Sequence, residues 1–308
     1  MSNVSSGEYD AFLNGNRIHY SIRGSGPPLI AHSGGPGMDA RLWDNLAGID
    51  AFATVIIIHP RGSGLSDAPA DGAYALADYV DDIEALRCHL NLEKPTLLGW
   101  SHGAAVAQQY ARMHPGSLSR LILHSAFTRV VDAFTDPEGA LVSYKEQPWY
   151  EESIAALKRW WSGDCQTDEE MTEVCRRAIK FYFFSLDTKA MQYLQRINHL
   201  TLRLAPLAAF WMNEAPNLDI RSGLQDIRVP SLVLVGQHDF ITPVAMSREI
   251  VRGIPDCELE IFEESGHFAH VEEPERFYQV IKQFVLDEKN EQSRFETNSQ
   301  FIEVHGNG

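Results

Sequence analysis

The sequence predicts an α/β protein: a mostly parallel sheet of eight strands, flanked by helices, with a helical insertion after the sixth strand. Short apolar runs alternate with amphipathic helical patterns, which is typical of an open parallel sheet covered on both faces. The alternation stops between residues 127 and 222 and resumes afterwards. A chain of 308 residues is long enough for one large domain that carries such an insertion.

The strands are predicted from short runs rich in β-branched residues that end at turn formers. The first two are joined through Asn14 and Gly15, a pair typical of an antiparallel hairpin. From the third onward the runs are almost uniformly apolar, as a parallel strand buried on both faces requires. The predicted strands span residues 9–13, 17–22, 28–32, 54–58, 95–99, 119–125, 230–236 and 257–263.

Residues 127–222 lack parallel-strand runs and predict helices instead, at about 151–161, 168–186 and 188–200. A helical insertion at the carboxyl end of a strand is expected to form a cap over the ligand-binding edge of the sheet. The predicted domains are a core of residues 1–126 and 223–286, a helical cap of residues 127–222 and a polar C-terminal tail of residues 287–308.

Charge and composition restrict the class of partner. The formal net charge of −16 opposes binding to nucleic acid or to an anionic membrane, since those partners are also negative. The apolar runs, such as Val55–Ile58, are too short to span a bilayer, and the first residues lack the pattern of a secretory signal. We therefore expect a cytoplasmic protein that acts on a small molecule. Its oligomeric state stays open, with a homodimer as one alternative.

Neither a metal nor a cofactor is expected. The four cysteines show no spacing typical of a zinc site or a disulfide framework. The glycine clusters at residues 24–26 and 62–64 lack the G-x-G-x-x-G spacing of a dinucleotide site.

The strongest chemical signal is the pentapeptide Gly-Trp-Ser-His-Gly at residues 99–103. It follows an apolar strand and precedes a helix, so Ser101 is predicted to stand on a tight strand–turn–helix elbow. The flanking glycines are needed because side chains there would collide with the neighbouring strand and helix. Ser101 is therefore the candidate nucleophile.

A serine hydroxyl needs a base to remove its proton and an acid to orient that base. Asp239 follows the seventh strand on a loop, and His267 follows the last strand after Gly266. The chain order Ser, Asp, His is that of strand–turn–helix serine enzymes. We predict Asp239 as the acid and His267 as the base, with His238 and His270 as rival bases.

Backbone N–H groups are expected to stabilise the negative oxygen that such chemistry produces. One is the amide of His102, directly after the nucleophile. The second is expected after the third strand, where the chain reads His-Ser-Gly-Gly-Pro-Gly at residues 32–37. We assign it to Gly35, with Gly34 as the competitor. No chemical role is assigned to the His102 side chain.

These residues together resemble the α/β-hydrolase superfamily and, within it, the proline iminopeptidase-like group. The resemblance also rests on Arg-Gly-Ser-Gly-Leu-Ser at residues 61–66, and it covers the core at both ends of the chain. The chain departs from the family pattern at two places that bear on the choice of substrate. Ser33 stands where the family usually has His, and the stretch 158–163 lacks the acid that grips a substrate amine in iminopeptidases.

The resemblance and its departures predict a serine hydrolase that cleaves a small ester or lactone through an acyl-serine intermediate. The alternatives are an iminopeptidase-type aminopeptidase, a hydroxynitrile lyase and a non-catalytic receptor or scaffold. Cap aromatics are candidate pocket residues, although such residues also form ordinary cap core. The candidate substrate-binding residues are Gly34, Trp100, Trp160, Trp161, Phe210 and Trp211.

Overall fold

The computed structural model describes residues 5–130 and 137–287. Its eight strands agree with the predicted ones to within about two residues at each end. They are β1 (Gly7–Leu13), β2 (Asn16–Arg23), β3 (Pro28–His32), β4 (Thr54–Ile58), β5 (Thr96–Trp100), β6 (Arg120–His124), β7 (Ser231–Gly236) and β8 (Cys257–Phe262).

The strands form one sheet in the order β1-β2-β4-β3-β5-β6-β7-β8. β1 and β2 form the predicted hairpin, β2 pairs antiparallel with β4, and all later pairs are parallel. Consecutive residues of one strand pack on opposite faces of the sheet: Leu29 belongs to one apolar cluster and Ile30 to the other. Both faces of the sheet are therefore buried at the strands β3 to β7, which explains their apolar runs. The expectation is wrong for β8, which carries Glu258 and Glu260 and is only partly buried.

Helices cover both faces of this sheet. Residues of α1, α2 and α8 belong to the apolar cluster on one face, and residues of α10 and the insertion belong to the cluster on the other. The helices are α1 (Leu76–His89), α2 (His102–Met113), α3 (Pro137–Ala140), α4 (Tyr150–Ser162), α5 (Asp168–Ala178), α6 (Thr188–Ile197), α7 (Leu204–Ala209), α8 (Val244–Gly253), α9 (Ala269–Glu272) and α10 (Pro274–Leu286).

Helices α3 to α7 lie between β6 and β7, where the helical insertion is predicted. Its incoming and outgoing segments pair at Arg129 and Asp219, so both connections leave the core at one place. The predicted helix over 168–186 is too long. The α-helix ends at Ala178, a 3₁₀ turn runs from Ile179 to Tyr182, and the chain then becomes extended at Phe183.

Among the described residues, no helix is long and apolar enough to cross a bilayer. The predicted polar tail, apart from its first residue Asp287, lies outside the described part of the chain.

Candidate active site

Ser101 stands at the junction of β5 and α2, on the predicted elbow. Its φ of 54° is a left-handed conformation that L-residues rarely adopt. A Cβ atom at Gly99 would lie 2.2 Å from the carbonyl oxygen of Gly103, and one at Gly103 would lie 2.4 Å from that of His32. Both glycines are therefore required by close packing, and the turn holds Ser101 at the first turn of α2.

Asp239 and His267 form a buried pair at the carboxyl ends of β7 and β8. His267 Nδ1 lies 2.8 Å from Asp239 Oδ2, and both residues are 3% exposed. Because an ionised carboxylate can only accept, Nδ1 carries the proton of this hydrogen bond. The Nε2 nitrogen is then the basic atom of the ring.

The Asp239 carboxylate is held by more than its histidine. Oδ1 accepts from the amides of Ile241 and Thr242, and Oδ2 accepts from the Thr242 hydroxyl at 2.7 Å. Burial acts to raise the pKa of Asp239, but the charge of His267 and these hydrogen bonds together hold it below its usual value. The Asp239 carboxylate is therefore kept ionised and fixed in orientation.

The loops that carry Asp239 and His267 pack directly on each other. A Cβ atom at Gly236 would lie 2.0 Å from the carbonyl oxygen of Gly266, and the His238 amide donates to Ser265. The rival base His238 has its ring stacked on Phe184, with centroids 4.0 Å apart. The contact between these loops brings together side chains that the sequence separates by 28 positions.

The His267 loop is also joined to the elbow strand. The indole N–H of Trp100, the residue before Ser101, donates to the carbonyl oxygen of His267 at 3.2 Å. Trp100 is 1% exposed and its ring also packs on the His267 ring, with centroids 5.7 Å apart. This contact connects the elbow of Ser101 with the loop of His267 across 167 positions of sequence.

Ser101 and His267 line the same cavity, whose volume is about 100 Å³. The other rival base, His270, is buried beside His124, where burial lowers its pKa to about 3. The described wall of the cavity is formed by Gly34, Gly35, Pro36, Met38, Trp100, Ser101, His102, Phe127, Arg129, Val130, Trp160, Trp161, Ile179, Tyr182, Leu207, Phe210, Trp211, Ile241, Thr242, His267 and Phe268.

The loop after β3 lies close to the elbow. A Cβ atom at Gly34 would lie 3.0 Å from the Cβ of Ser101, so this loop passes directly beside the candidate nucleophile. Gly35 has φ of 62°, and a side chain there would collide with Met38. The His102 amide lies in the first turn of α2, where N–H groups have no partner within the helix. The assignment of Gly35 and His102 as oxyanion donors stays a prediction.

The His102 side chain is a neutral group. Burial and the charge of His32 lower the pKa of His102 to about 3. Its ring packs edge-on against Tyr79 and Phe210.

All six candidate substrate-binding residues lie in the described cavity wall, together with two further aromatic residues of the insertion, Phe127 and Tyr182. Phe181 and Phe183, by contrast, are buried in the core and are not part of the described wall. Arg129, which no sequence pattern marks, also lines the cavity and forms an ion pair with Glu249. No local sequence signal distinguishes wall residues from residues of the hydrophobic core, because the wall is assembled from segments that are distant in sequence.

Within the described residues, no cluster of His, Cys, Asp or Glu is arranged to hold a metal.

Comparison with known proteins gives the family. Residues 27–274 match the family model of the alpha/beta hydrolase fold. The AB hydrolase superfamily protein YisY of Bacillus subtilis (strain 168) is 30% identical over 233 residues, which cover 73% of this chain and 78% of that relative. A proline iminopeptidase of Saccharolobus solfataricus is 28% identical over 280 residues, which cover 86% of this chain and 87% of that relative.

Among solved structures, an esterase from Exiguobacterium antarcticum matches 90% of this chain and 99% of its own, with a TM-score of 0.69 and 22% identity. The match of the family model over residues 27–274 shows that the chain belongs to the alpha/beta hydrolase family.

Proposed function

We propose that this protein is a serine hydrolase that cleaves a small carboxylic ester or lactone. The observation that carries the proposal is the joint placement of Ser101 and His267 on one apolar cavity, with His267 oriented by a buried Asp239. This combination supplies a nucleophile, a base and an acid in the roles that acyl transfer needs.

In the proposed mechanism, Nε2 of His267 removes the proton of Ser101 as the hydroxyl oxygen attacks the substrate carbonyl carbon. The carbonyl oxygen becomes negative and is stabilised by the amides of Gly35 and His102. The imidazolium then gives its proton to the leaving alcohol, and the acyl group stays on Ser101. Water, deprotonated by the same histidine, releases the acid and restores the hydroxyl. For a lactone, the leaving alcohol stays attached to the acyl group.

The wall of the cavity supports a small and largely apolar acyl group. An apolar cavity of about 150 Å³ in another protein holds a benzene molecule. A volume of about 100 Å³ beside Ser101 therefore suits a short or compact acyl group. Trp160, Trp161 and Phe210 belong to the insertion, and we propose that the insertion serves as a cap that sets this limit.

The same wall argues against an aminopeptidase. Recognition of a free N-terminal amine needs a negative group beside the scissile bond. The described wall includes no carboxylate, and its charged member besides histidine is the cation Arg129. The pairing of Arg129 with Glu249 compensates that charge. We therefore place esters and lactones ahead of prolyl-amides, with the protein acting on a small molecule in the cytoplasm.

The test is a competition of short acyl esters, lactones and prolyl-amides for the purified protein. Ser101→Ala should abolish turnover of the preferred substrate and leave the melting temperature nearly unchanged. Ser143→Ala, which alters an exposed serine of the insertion, is the matched control and should keep full activity. Preference for the prolyl-amide would replace the ester proposal with the aminopeptidase alternative, and activity in Ser101→Ala would overturn both.

A further inference from the structure

One short segment of the insertion, which begins at the last residue of the 3₁₀ turn, contacts the loops that carry Asp239 and His267. We define this segment, residues 182–185, as the strap. The His267 amide donates to the carbonyl oxygen of Tyr182 at 2.7 Å, and the ring of Phe184 stacks on His238, the neighbour of Asp239. A Cβ atom at Gly266 would lie 2.4 Å from the same Tyr182 oxygen. Gly266 is therefore required because the strap touches the His267 loop directly.

The carboxylate of Glu272 also joins the strap to the His267 loop. Glu272, the last residue of α9, accepts through Oε1 from the amides of Phe184 at 2.7 Å and Ser185 at 3.2 Å. Its Oε2 accepts from the amide of Gly266 at 2.8 Å. The three donors belong to two segments that are far apart in sequence, so this side chain bridges the insertion and the loop of His267.

Among the described residues, the main groups that shift the pKa of Glu272 include no cation. Burial raises the pKa of Glu272 to about 8, the three amide donors act to lower it, and the charge of Asp187 raises it. Tyr144 also faces this region, since its hydroxyl donates to the carbonyl oxygen of Phe183. The neighbouring Glu273 holds the other side of the loop by accepting from Glu264 and Ser265. Backbone N–H groups are thus the partners that compensate the charge of Glu272.

We propose that Glu272 is a positioning residue that fixes the His267 loop to the strap, so that the base keeps its catalytic position only while the strap is docked. The proposal rests on the proposed function in one respect, since it takes His267 as the base. The bridge itself consists of the three hydrogen bonds that Glu272 accepts, and it does not depend on the role of His267. Movement of the insertion at the strap would release the Gly266 amide and displace His267, which couples substrate access to the geometry of the base.

The bridge is tested first by solution NMR on the intact protein. One carboxylate bonded to three amides predicts that the amide proton resonances of Phe184, Ser185 and Gly266 shift with pH together. Their common midpoint should lie near pH 8, the pKa that burial gives Glu272. Glu272→Gln should abolish this shared transition. Three different midpoints in the wild type, or a transition that persists in Glu272→Gln, would overturn the bridge.

The effect on the base is tested with a fluorophosphonate at pH 9, where the Glu272 carboxylate is ionised. In Glu272→Gln the side-chain amide cannot accept from all three donors, and we expect the rate of Ser101 labelling and kcat to fall by about 10- to 100-fold. KM should change less than threefold, because Glu272 does not line the described cavity wall. A loss confined to thermal stability, with the labelling rate of the folded protein unchanged, would overturn the positioning role.

Glu275→Gln is the matched control, since it removes the same charge from an exposed position of the adjacent helix α10. It should label Ser101 at the wild-type rate. If the wild type itself fails to label, the proposed function fails, whereas the NMR titration of the wild type still decides whether Glu272 forms the bridge.

Discussion

Asp239→Asn changes one atom in the buried acid and should remove most of the activity. Two backbone amides donate to Oδ1 of Asp239, so a side-chain NH₂ group cannot take that position without facing two donors. The NH₂ group must therefore replace Oδ2, where it faces Nδ1 of His267. His267 then presents Nδ1 as an acceptor and carries its proton on Nε2, the tautomer that cannot remove the proton of Ser101.

The expected loss in kcat follows from this tautomer. The corresponding substitution in a serine protease lowers kcat by about 10⁴-fold, which is about 5.5 kcal/mol of transition-state stabilisation. Steady-state hydrolysis of a p-nitrophenyl ester measures it, with calorimetry to show that Asp239→Asn is folded. Asp81→Asn, an exposed change on α1, is the control. A folded Asp239→Asn variant that keeps more than about a tenth of wild-type kcat would refute the reasoning.

Three further predictions concern two contacts around this site and the pKa of Glu84 on helix α1. Trp100→Phe removes the N–H group that bonds His267 O, so kcat/KM should fall about tenfold; an unchanged value would contradict the role of that bond. Gly266→Ala brings a methyl group within 2.4 Å of Tyr182 O and should lower the free energy of unfolding by about 1–3 kcal/mol in urea titrations; equal stability would contradict the close contact. Hydrogen bonds from Arg87 are the main cause that lowers the pKa of Glu84 from 4.5 to about 2. The stability that Glu84 adds should therefore be complete above pH 4.5 and lost as pH falls towards 2, and a pH-independent difference between wild type and Glu84→Gln in acid unfolding would oppose this.

The sheet and the elbow were predictable because their signals are local. An apolar run that ends at turn formers marks a buried strand whatever the rest of the chain does, and the strands β3 to β7 follow this rule. The requirement for Gly99 and Gly103 is likewise contained in five consecutive residues, and the structure shows the contacts that impose it.

The strap and its anchor were not predictable in this way. Residues 183–186 continue an apolar helical pattern, but the α-helix ends at Ala178, and the amides of Phe184 and Ser185 donate instead to a carboxylate 88 and 87 positions away. Glu272 itself looks like a polar residue on the exposed side of a short helix. Its role depends on partners that only the folded chain brings together.

The aromatic residues of the insertion show the same limit. Trp160 and Trp161 line the cavity, whereas Phe181 and Phe183 are packed in the core. Both sets are large aromatic residues, and the position of each residue relative to the neighbouring elements decides which role it takes.

The central claim is that Ser101 is a nucleophile activated by His267 and Asp239. Mass spectrometry after treatment with a fluorophosphonate tests it most directly, because this reagent bonds covalently to an activated serine oxygen. We expect one adduct per chain, located on the peptide that contains Ser101, and at least a hundredfold slower labelling in His267→Ala. An adduct at another residue, or none on the folded wild-type protein, would contradict the account.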